Sequence, residues 1–370
     1  MRNCNILLIF TGGTINSVEK DGYICPSGEE PRKKLVAWFD SHIRGQLEEA
    51  NLAKIRFSSM TPFEILSENL SGEYIKQISD IVERALAKPN VLLDRNVVAN
   101  NTNTGSNSCF YDGILVMCGT DTLSYLTAAL GLLFGDCGVP IVTVSAAYPL
   151  SDSRTNGYVN FTNAVKLVIE RQLSGVFCSY ENPGYYYNGK NIYPAADVLA
   201  IGNYTDAIRS AFDCYDVPET AEMIRRGTSP FNHRKTLWQK CKLPAVMHCP
   251  DLDQASVLYL RPYPGMKYPR LHPRMQNHQN VKYYDAVLLD SYHSGTYPAG
   301  TKEFEEFMQD AQEGGIPVYI VGVPEGVTYE STKAYGEYGI RILPPMTGPS
   351  AYMMLWLHFA ELNERRCESK

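Results

Sequence analysis

Between Asn5 and Ile15 the chain reads NILLIFTGGTI, and this stretch narrows the fold more than any other. Ile6 to Phe10 is an unbroken apolar run stopped by Gly12-Gly13. A run this short, with no alternation of polar residues, is the pattern of a strand buried on both faces. The glycines permit a tight turn and a close approach of backbone to a ligand. Thr11 and Thr14 stand on either side of them, so hydroxyls gather at the carboxyl end of the strand, where open α/β sheets bind ligands. The same composition is also that of a plain strand-to-loop turn whose threonines bond only nearby backbone.

A second stretch, Gly113 to Leu123, reads GILVMCGTDTL. Ile114 to Cys118 has the look of a buried strand, ends in Gly119, and is followed by Thr120, Asp121 and Thr122. Leu123, Leu126, Leu130 and Leu133 then line one face of a helix. Pro140 to Val144 is a third apolar strand, ending in the small residues Ser145-Ala146-Ala147, and Gly175 to Ser179 is a fourth. Strand, loop and helix alternate in the manner of a mainly parallel sheet with right-handed crossovers. The segment from Asn16 to Gly28 reads as a long polar loop without periodicity, of the kind that forms lids. Tyr23 is its most notable residue, although an isolated tyrosine is more often a packing residue. Ser67-Glu68-Asn69 precedes a helix from about Gly72 whose Ile75, Ile78, Ile81 and Val82 fall at helical spacing. Read by itself, Ser67 is a cap or turn residue for that helix.

The expected architecture is α/β. A larger N-terminal domain over 1–212, with a mainly parallel sheet flanked by helices, leads through a linker at 213–241 to a smaller C-terminal α/β domain at 242–370. In that second domain, 256–260, 286–289 and 318–321 read as strands, and 304–311 and 350–362 as helices. A net charge of −6 over 370 residues argues against binding a phosphate backbone. No apolar run has membrane-spanning length, and the short apolar run that leads straight into Thr-Gly-Gly is not expected to be a signal peptide. The ten cysteines include no C-x-x-C pair, so zinc-ribbon and thioredoxin-type sites are set aside. Cys4, Cys118 and Cys178 read as reduced core residues and the compartment as cytoplasmic. The chain has no third glycine for a dinucleotide fingerprint, no phosphate-binding G-x-x-x-x-G-K-[ST], no H-E-x-x-H and no G-x-S-x-G.

The pairing of TGGTI with GTDTL about a hundred residues later resembles the L-asparaginase/glutaminase family. Pro149-Leu150, then Arg154-Thr155-Asn156-Gly157, Asn160 and Asn163-Ala164, continues the likeness. Ile65 to Leu70, ILSENL, is similar to the substrate-carboxylate segment, most of all in the asparaginase-like subunit of the archaeal glutamyl-tRNA amidotransferase. The resemblance implies a catalytic set of Thr14 as nucleophile, Tyr23 as the lid tyrosine that helps activate it, Thr120 as second catalytic threonine, and Asp121. It implies a substrate-binding set of Gly13, Ser67, Glu68, Gly119, Asp121 and Ala146. In these, Ser67 takes the substrate carboxylate, Asp121 the α-amino group, and the backbone of Ala146 the side-chain amide. It also implies a small amino-acid amide as substrate, a homodimer or homotetramer, and no metal or organic cofactor, nucleic acid or membrane. The chemistry suits these residue types: amide hydrolysis needs a nucleophile relieved of its proton and backbone N–H donors for an oxyanion.

One departure bears on activity. The family places a lysine after the strand equivalent to Gly175 to Ser179, whereas the matching position here is Pro194, or Leu199 with a different gap. Lys190 is the one lysine between Asn188 and Ser210. Either Lys190 substitutes from a remodelled loop or the enzyme is slow or has a shifted substrate; losing a positioned acid–base costs about 10²–10⁴-fold. The turn matching the family's cross-subunit asparagine reads His293-Ser294-Gly295-Thr296, with His293 either a substrate contact or a surface residue. The expected activity is hydrolysis of L-asparagine, with L-glutamine as a side substrate. The alternatives are a catalytically weak amino-acid or amide binder on the same scaffold, and an amidotransferase subunit, which would carry a further domain ahead of the first strand.

Overall fold

The computed structural model describes residues 3–50, 53–87, 111–170, 173–182, 191–195, 198–209, 234–272, 283–326 and 328–369. The chain divides into two compact units, Met1–Thr236 and Leu237–Lys370.

Unit 1 is built on a six-stranded sheet. Its strands are β1 (Asn3–Phe10), β4 (Lys54–Met60), β5 (Gly113–Met117), β6 (Pro140–Val144), β7 (Gly175–Ser179) and β8 (Ile192–Pro194), in the order β4-β1-β5-β6-β7-β8. All neighbours run parallel except β8, which pairs antiparallel with β7. The apolar runs of β5, β6 and β7 are buried at every position, as a sheet covered on both faces requires. On one face, α1 (Glu29–Phe39) and α5 (Gly157–Glu170) close a core with Ile6, Leu8, Leu115, Met117, Val142 and Val144. Phe39 stands edge-on to Phe57 and Phe161 there, at 5.5 and 5.6 Å between ring centres. Each aliphatic side chain fully buried in this way contributes about 1.5–3 kcal/mol over leaving it in water. A π-helical turn (Asp40–Arg44) and the short α2 (Gly45–Glu49) follow α1. The helix α3 (Gly72–Ala87) buries the stripe Ile75, Ile78, Ile81, Val82 and Ala85, and α4 (Leu123–Phe134), apolar nearly all round, packs against β7.

The mainly parallel α/β architecture is the one expected, with one local correction. Much of the segment from Asn16 to Gly28 is a hairpin, not a loop: β2 (Ser17–Lys20) pairs antiparallel with β3 (Tyr23–Pro26). Asp21 and Gly22 both take left-handed conformations, φ 53° and 80°, and an Asp-Gly pair of this kind is what a two-residue hairpin turn calls for. The hairpin is mostly exposed, so it shows no alternation of apolar and polar residues.

Unit 2 carries β9 (Val257–Leu260), β10 (Ala286–Asp290), β11 (Val318–Val321) and β12 (Arg341–Ile342), four parallel strands in the order β12-β11-β10-β9. The linker expected at 213–241 lies outside the described residues up to 233. Its end forms α6 (Arg234–Lys240), in which Leu237 and Trp238 are buried. The helix α7 (Lys302–Glu313) is capped by Thr301, whose hydroxyl accepts from Phe304 N–H. Its Phe304, Phe307 and Met308 join a core with Val287, Leu289 and Ile320. The short α8 (Lys333–Glu337) precedes β12, and α9 (Gly348–Glu368), capped by Thr347, packs along β9 and β10. Among the described residues no helix is long and apolar enough to cross a membrane.

Candidate active site

The loops that leave β1, β4 and β5 meet at the carboxyl edge of unit 1. Thr11 ends the β1 run by donating its hydroxyl to Met117 O at 2.9 Å, so β1 and β5 stay joined past their last ladder pair. Gly12 bridges in parallel to Ile65, and Gly13 N–H donates to Ile65 O at 2.8 Å. Gly12 and Gly13 take φ of 107° and 72°, a region that favours glycine. A Cβ on Gly13 would collide with Gly119 Cα, and one on Gly119 with the Ser67 side chain. The three loops are thus in contact where only glycine fits.

Asp121 is brought to Ser67, 54 residues away in sequence: Ser67 Oγ donates to Asp121 Oδ2 at 2.8 Å. Thr122 Oγ1 in turn donates to Ser67 O at 3.0 Å. Ser67 is buried and Asp121 exposed, so the pair joins an enclosed hydroxyl to a carboxylate open to solvent. Ser67 begins a short 3-10 turn and its hydroxyl goes to Asp121, so of the cap or turn role that the sequence alone suggests it takes the turn. Thr14 opens the 3-10 turn Thr14–Asn16, next in chain to Gly13, and Thr120 follows Gly119; both are part-exposed. Glu68 is exposed beside Ser67. Ala146 is fully buried just past β6. Tyr23 lies on β3, 74% exposed to solvent.

The loop after β6 is held by two asparagines that enter the sequence reading only as part of a resemblance. Asn156 Oδ1 accepts from Ala147 N–H at 2.9 Å while its Nδ2 donates to Glu181 O at 2.5 Å. Asn160 Nδ2 donates to Ser145 O at 2.8 Å and its Oδ1 accepts from Glu181 N–H at 2.6 Å. Each carboxamide spans the loops after β6 and β7, fixing the backbone on both sides of Ala146. Nothing in the residue types signals this; it follows from which loops the sheet order makes neighbours. Outside them, Arg154 lies over the Tyr148 ring at 4.1 Å and grips Asp152, whose carboxyl it holds down to about 2. Tyr148 OH donates to Asp206 Oδ2, which raises the phenol above its ordinary value.

Burial pushes the Cys118 thiol far up and that of Cys178 to about 12, so neither supplies a thiolate at neutral pH. Among the described residues the cysteines are free thiols, and no group of three His, Cys, Asp or Glu is placed to hold a metal. Among the described residues this edge carries the hydroxyls of Thr14, Ser67 and Thr120 beside the Asp121 carboxylate. Pro194 is a buried residue of β8 paired with Phe177, and Leu199 N–H donates to Arg209 O, so neither position supplies a cation. Lys190 lies outside the described residues. His293 is exposed in unit 2, in the loop after β10.

Comparison with known proteins shows what the chain is similar to in sequence and in fold. Residues 94–221 match the family model for the N-terminal part of asparaginase. L-asparaginase 1 of Escherichia coli strain K12 is 25% identical over 215 residues, 56% of this chain and 55% of that protein. A component of the glutamyl-tRNA(Gln) amidotransferase of Sulfolobus acidocaldarius is 31% identical over 158 residues, 42% of this chain and 29% of that one. The chain thus spans about half the length, or less, of these curated relatives. The thermostable L-asparaginase of Thermococcus kodakarensis shares the fold, with a TM-score of 0.62 and 18% identity over 97% of this chain and 95% of that one. Part of the chain thus matches the asparaginase family model, and its fold is shared with a solved asparaginase, in line with the resemblance carried by TGGTI and GTDTL.

Proposed function

We propose that the chain is an amidohydrolase that cleaves L-asparagine to L-aspartate and ammonia, with L-glutamine as a side substrate. The observation that carries this reading is the bond from Ser67 to Asp121 beside the Gly13–Gly119 contact. A hydroxyl and a carboxylate satisfy each other in the free protein. A free amino acid would replace that bond by two others, its carboxylate taking the Ser67 hydroxyl and its ammonium Asp121. Gly13 and Gly119 would admit the ligand against backbone, Glu68 would add negative charge near the ammonium, and the backbone at Ala146 would meet the side-chain amide.

In this reading Thr14 Oγ attacks the amide carbon and gives up its proton, and exposed backbone N–H groups hold the oxyanion. The C–N bond breaks as ammonia leaves with a proton, and water then hydrolyses the threonyl ester, restoring Thr14. Tyr23 would relay the Thr14 proton, accepting it as its own phenolic proton passes to the departing nitrogen, once the hairpin folds over the edge, and Thr120 would assist the second attack. The chemistry calls for no metal or organic cofactor. The net charge of −6 supports a small-molecule substrate over nucleic acid, and free thiols support a reducing, cytoplasmic setting. A homodimer or homotetramer is the proposed assembly.

A second reading, a weak amide or amino-acid binder on this scaffold, is favoured by the residues Pro194 and Leu199, neither a lysine, at the two positions that the resemblance matches to the family's lysine. One comparison separates the two. Purified protein is expected to release ammonia from L-asparagine, and Thr14→Ala to lose about 10³-fold or more in kcat while still binding L-aspartate. Binding without ammonia release in the wild type would favour the binder.

A further inference from the structure

Asn16, the last residue of the turn that Thr14 opens, has no part in the reaction just described. Its side chain is enclosed, only 4% of the residue being exposed, yet neither Oδ1 nor Nδ2 has a hydrogen-bond partner among the described residues. Its backbone, by contrast, is fully engaged: the N–H donates to Gly13 O at 3.0 Å and the C=O accepts from Ser27 N–H at 3.2 Å. Ser17 Oγ also closes on Gly13 O, at 2.8 Å. Asn16 is therefore the joint at which both ends of the hairpin that carries Tyr23 meet the Thr14 turn. Among the described residues of unit 1 the other unpartnered buried groups, on Ser124, Ser145 and Thr162, are single hydroxyls. A carboxamide has two donors and an acceptor to satisfy, and enclosing it unbonded costs free energy that a leucine there would not incur.

We propose that Asn16 is a positioning residue: its carboxamide takes up its hydrogen bonds when substrate fills the edge and the hairpin closes, and so fixes the Thr14 turn in the attacking geometry. A group that is unbonded in the free state and bonded in the loaded one favours the loaded one selectively, which is what shifts an equilibrium between conformations. The inference rests on the amidohydrolase reading and adds to it a residue that acts through Thr14 rather than on the substrate.

Asn16→Leu tests it, because leucine matches the shape without the polar atoms. The free variant is expected to melt at or above the wild-type temperature. Its kcat on L-asparagine is expected to fall about 10- to 100-fold with KM changed by no more than about threefold, the signature of a displaced nucleophile. Asn16→Ser, which keeps one group able to donate and accept, is expected to recover part of kcat. Wild-type kcat in the leucine variant would make Asn16 a packing defect and overturn the proposal. A lower melting temperature in the free leucine variant would overturn it as well, since the carboxamide would then already be bonded before substrate arrives. If the wild type neither releases ammonia nor is stabilised by L-aspartate, the reaction itself fails and this inference falls with it. An active wild type beside an unaffected leucine variant ends this inference alone.

Discussion

The two sheets of this protein are built alike and end differently. In unit 1 the chain steps from β1 outward to β4, then returns past β1 to β5, so strand order reverses between β1 and its neighbours. In unit 2 the strands succeed one another without reversal, β9, β10, β11, β12. Where order reverses, the connections leave to opposite sides and a crevice opens at the carboxyl edge. Gly13 and Gly119 meet there, and Ser67 reaches Asp121 across it. The carboxyl edge of unit 2 has similar materials. Asp290 accepts from Tyr259 OH at 2.8 Å and pairs with Arg261 at 3.0 Å, but these groups come from adjacent strands β9 and β10 and their ends. Parallel strands thus place polar side chains at an edge in both units, and the reversal of order decides which edge gathers residues distant in sequence.

Paired glycine substitutions test that difference most severely. Gly13→Ala forces a Cβ into Gly119 at φ 72°, and Gly295→Ala in unit 2 forces one into Pro324 at φ 75°. Each is expected to destabilise its unit by about 1–3 kcal/mol, measured by urea unfolding. Ammonia release per folded molecule is expected to collapse for Gly13→Ala and to persist for Gly295→Ala. Equal loss in both would break the comparison.

A smaller effect is expected at the polar pair. Ser67→Ala removes a hydroxyl that bonds a carboxylate, an interaction worth about 1.5–3 kcal/mol. Because Asp121 is open to water, most of that loss should appear as a raised KM for L-asparagine and little in stability. Tyr259→Phe removes the corresponding hydroxyl from Asp290 in unit 2 and is expected to leave KM unchanged. Steady-state kinetics of the two variants side by side checks this.

The smallest difference lies in pH. Burial, with Arg341 and Arg365 nearby, holds the His358 imidazole of unit 2 below its ordinary value. The unfolded chain then binds that proton more readily than the folded one, so unit 2 loses stability as pH falls below about 6.5. In unit 1 Arg154 lowers the Asp152 carboxyl to about 2, so its contribution is present above the ordinary carboxylate value and is lost as pH falls from there toward about 2. Urea midpoints followed from pH 7.5 to 5.5 should fall with acid for unit 2, and His358→Gln should flatten the slope.

Much of this could be read along the chain. The strands β1, β5, β6 and β7 are legible because each is a short apolar run cut off by small or turn residues, and burial on both faces leaves no other use for such a run. The glycines and threonines after β1 and β5 are legible for the same reason, since they mark where the runs stop. The hairpin was harder, because exposed strands carry no alternation and only Asp21-Gly22 announces the turn. Asn156 and Asn160 offered no signal of their roles, which depend on the loops after β6 and β7 being neighbours.

The sequence by itself determined the repeating strand–loop–helix units, and with them which residues stand at strand ends, because periodicity and turn chemistry act over a few residues. Only the tertiary structure decided that Ser67 and Asp121 share a bond and that Gly13 lies against Gly119. It alone enclosed the Asn16 carboxamide without a partner among the described residues. Those outcomes depend on the order in which the strands pair, and that order is settled by packing across the whole sheet.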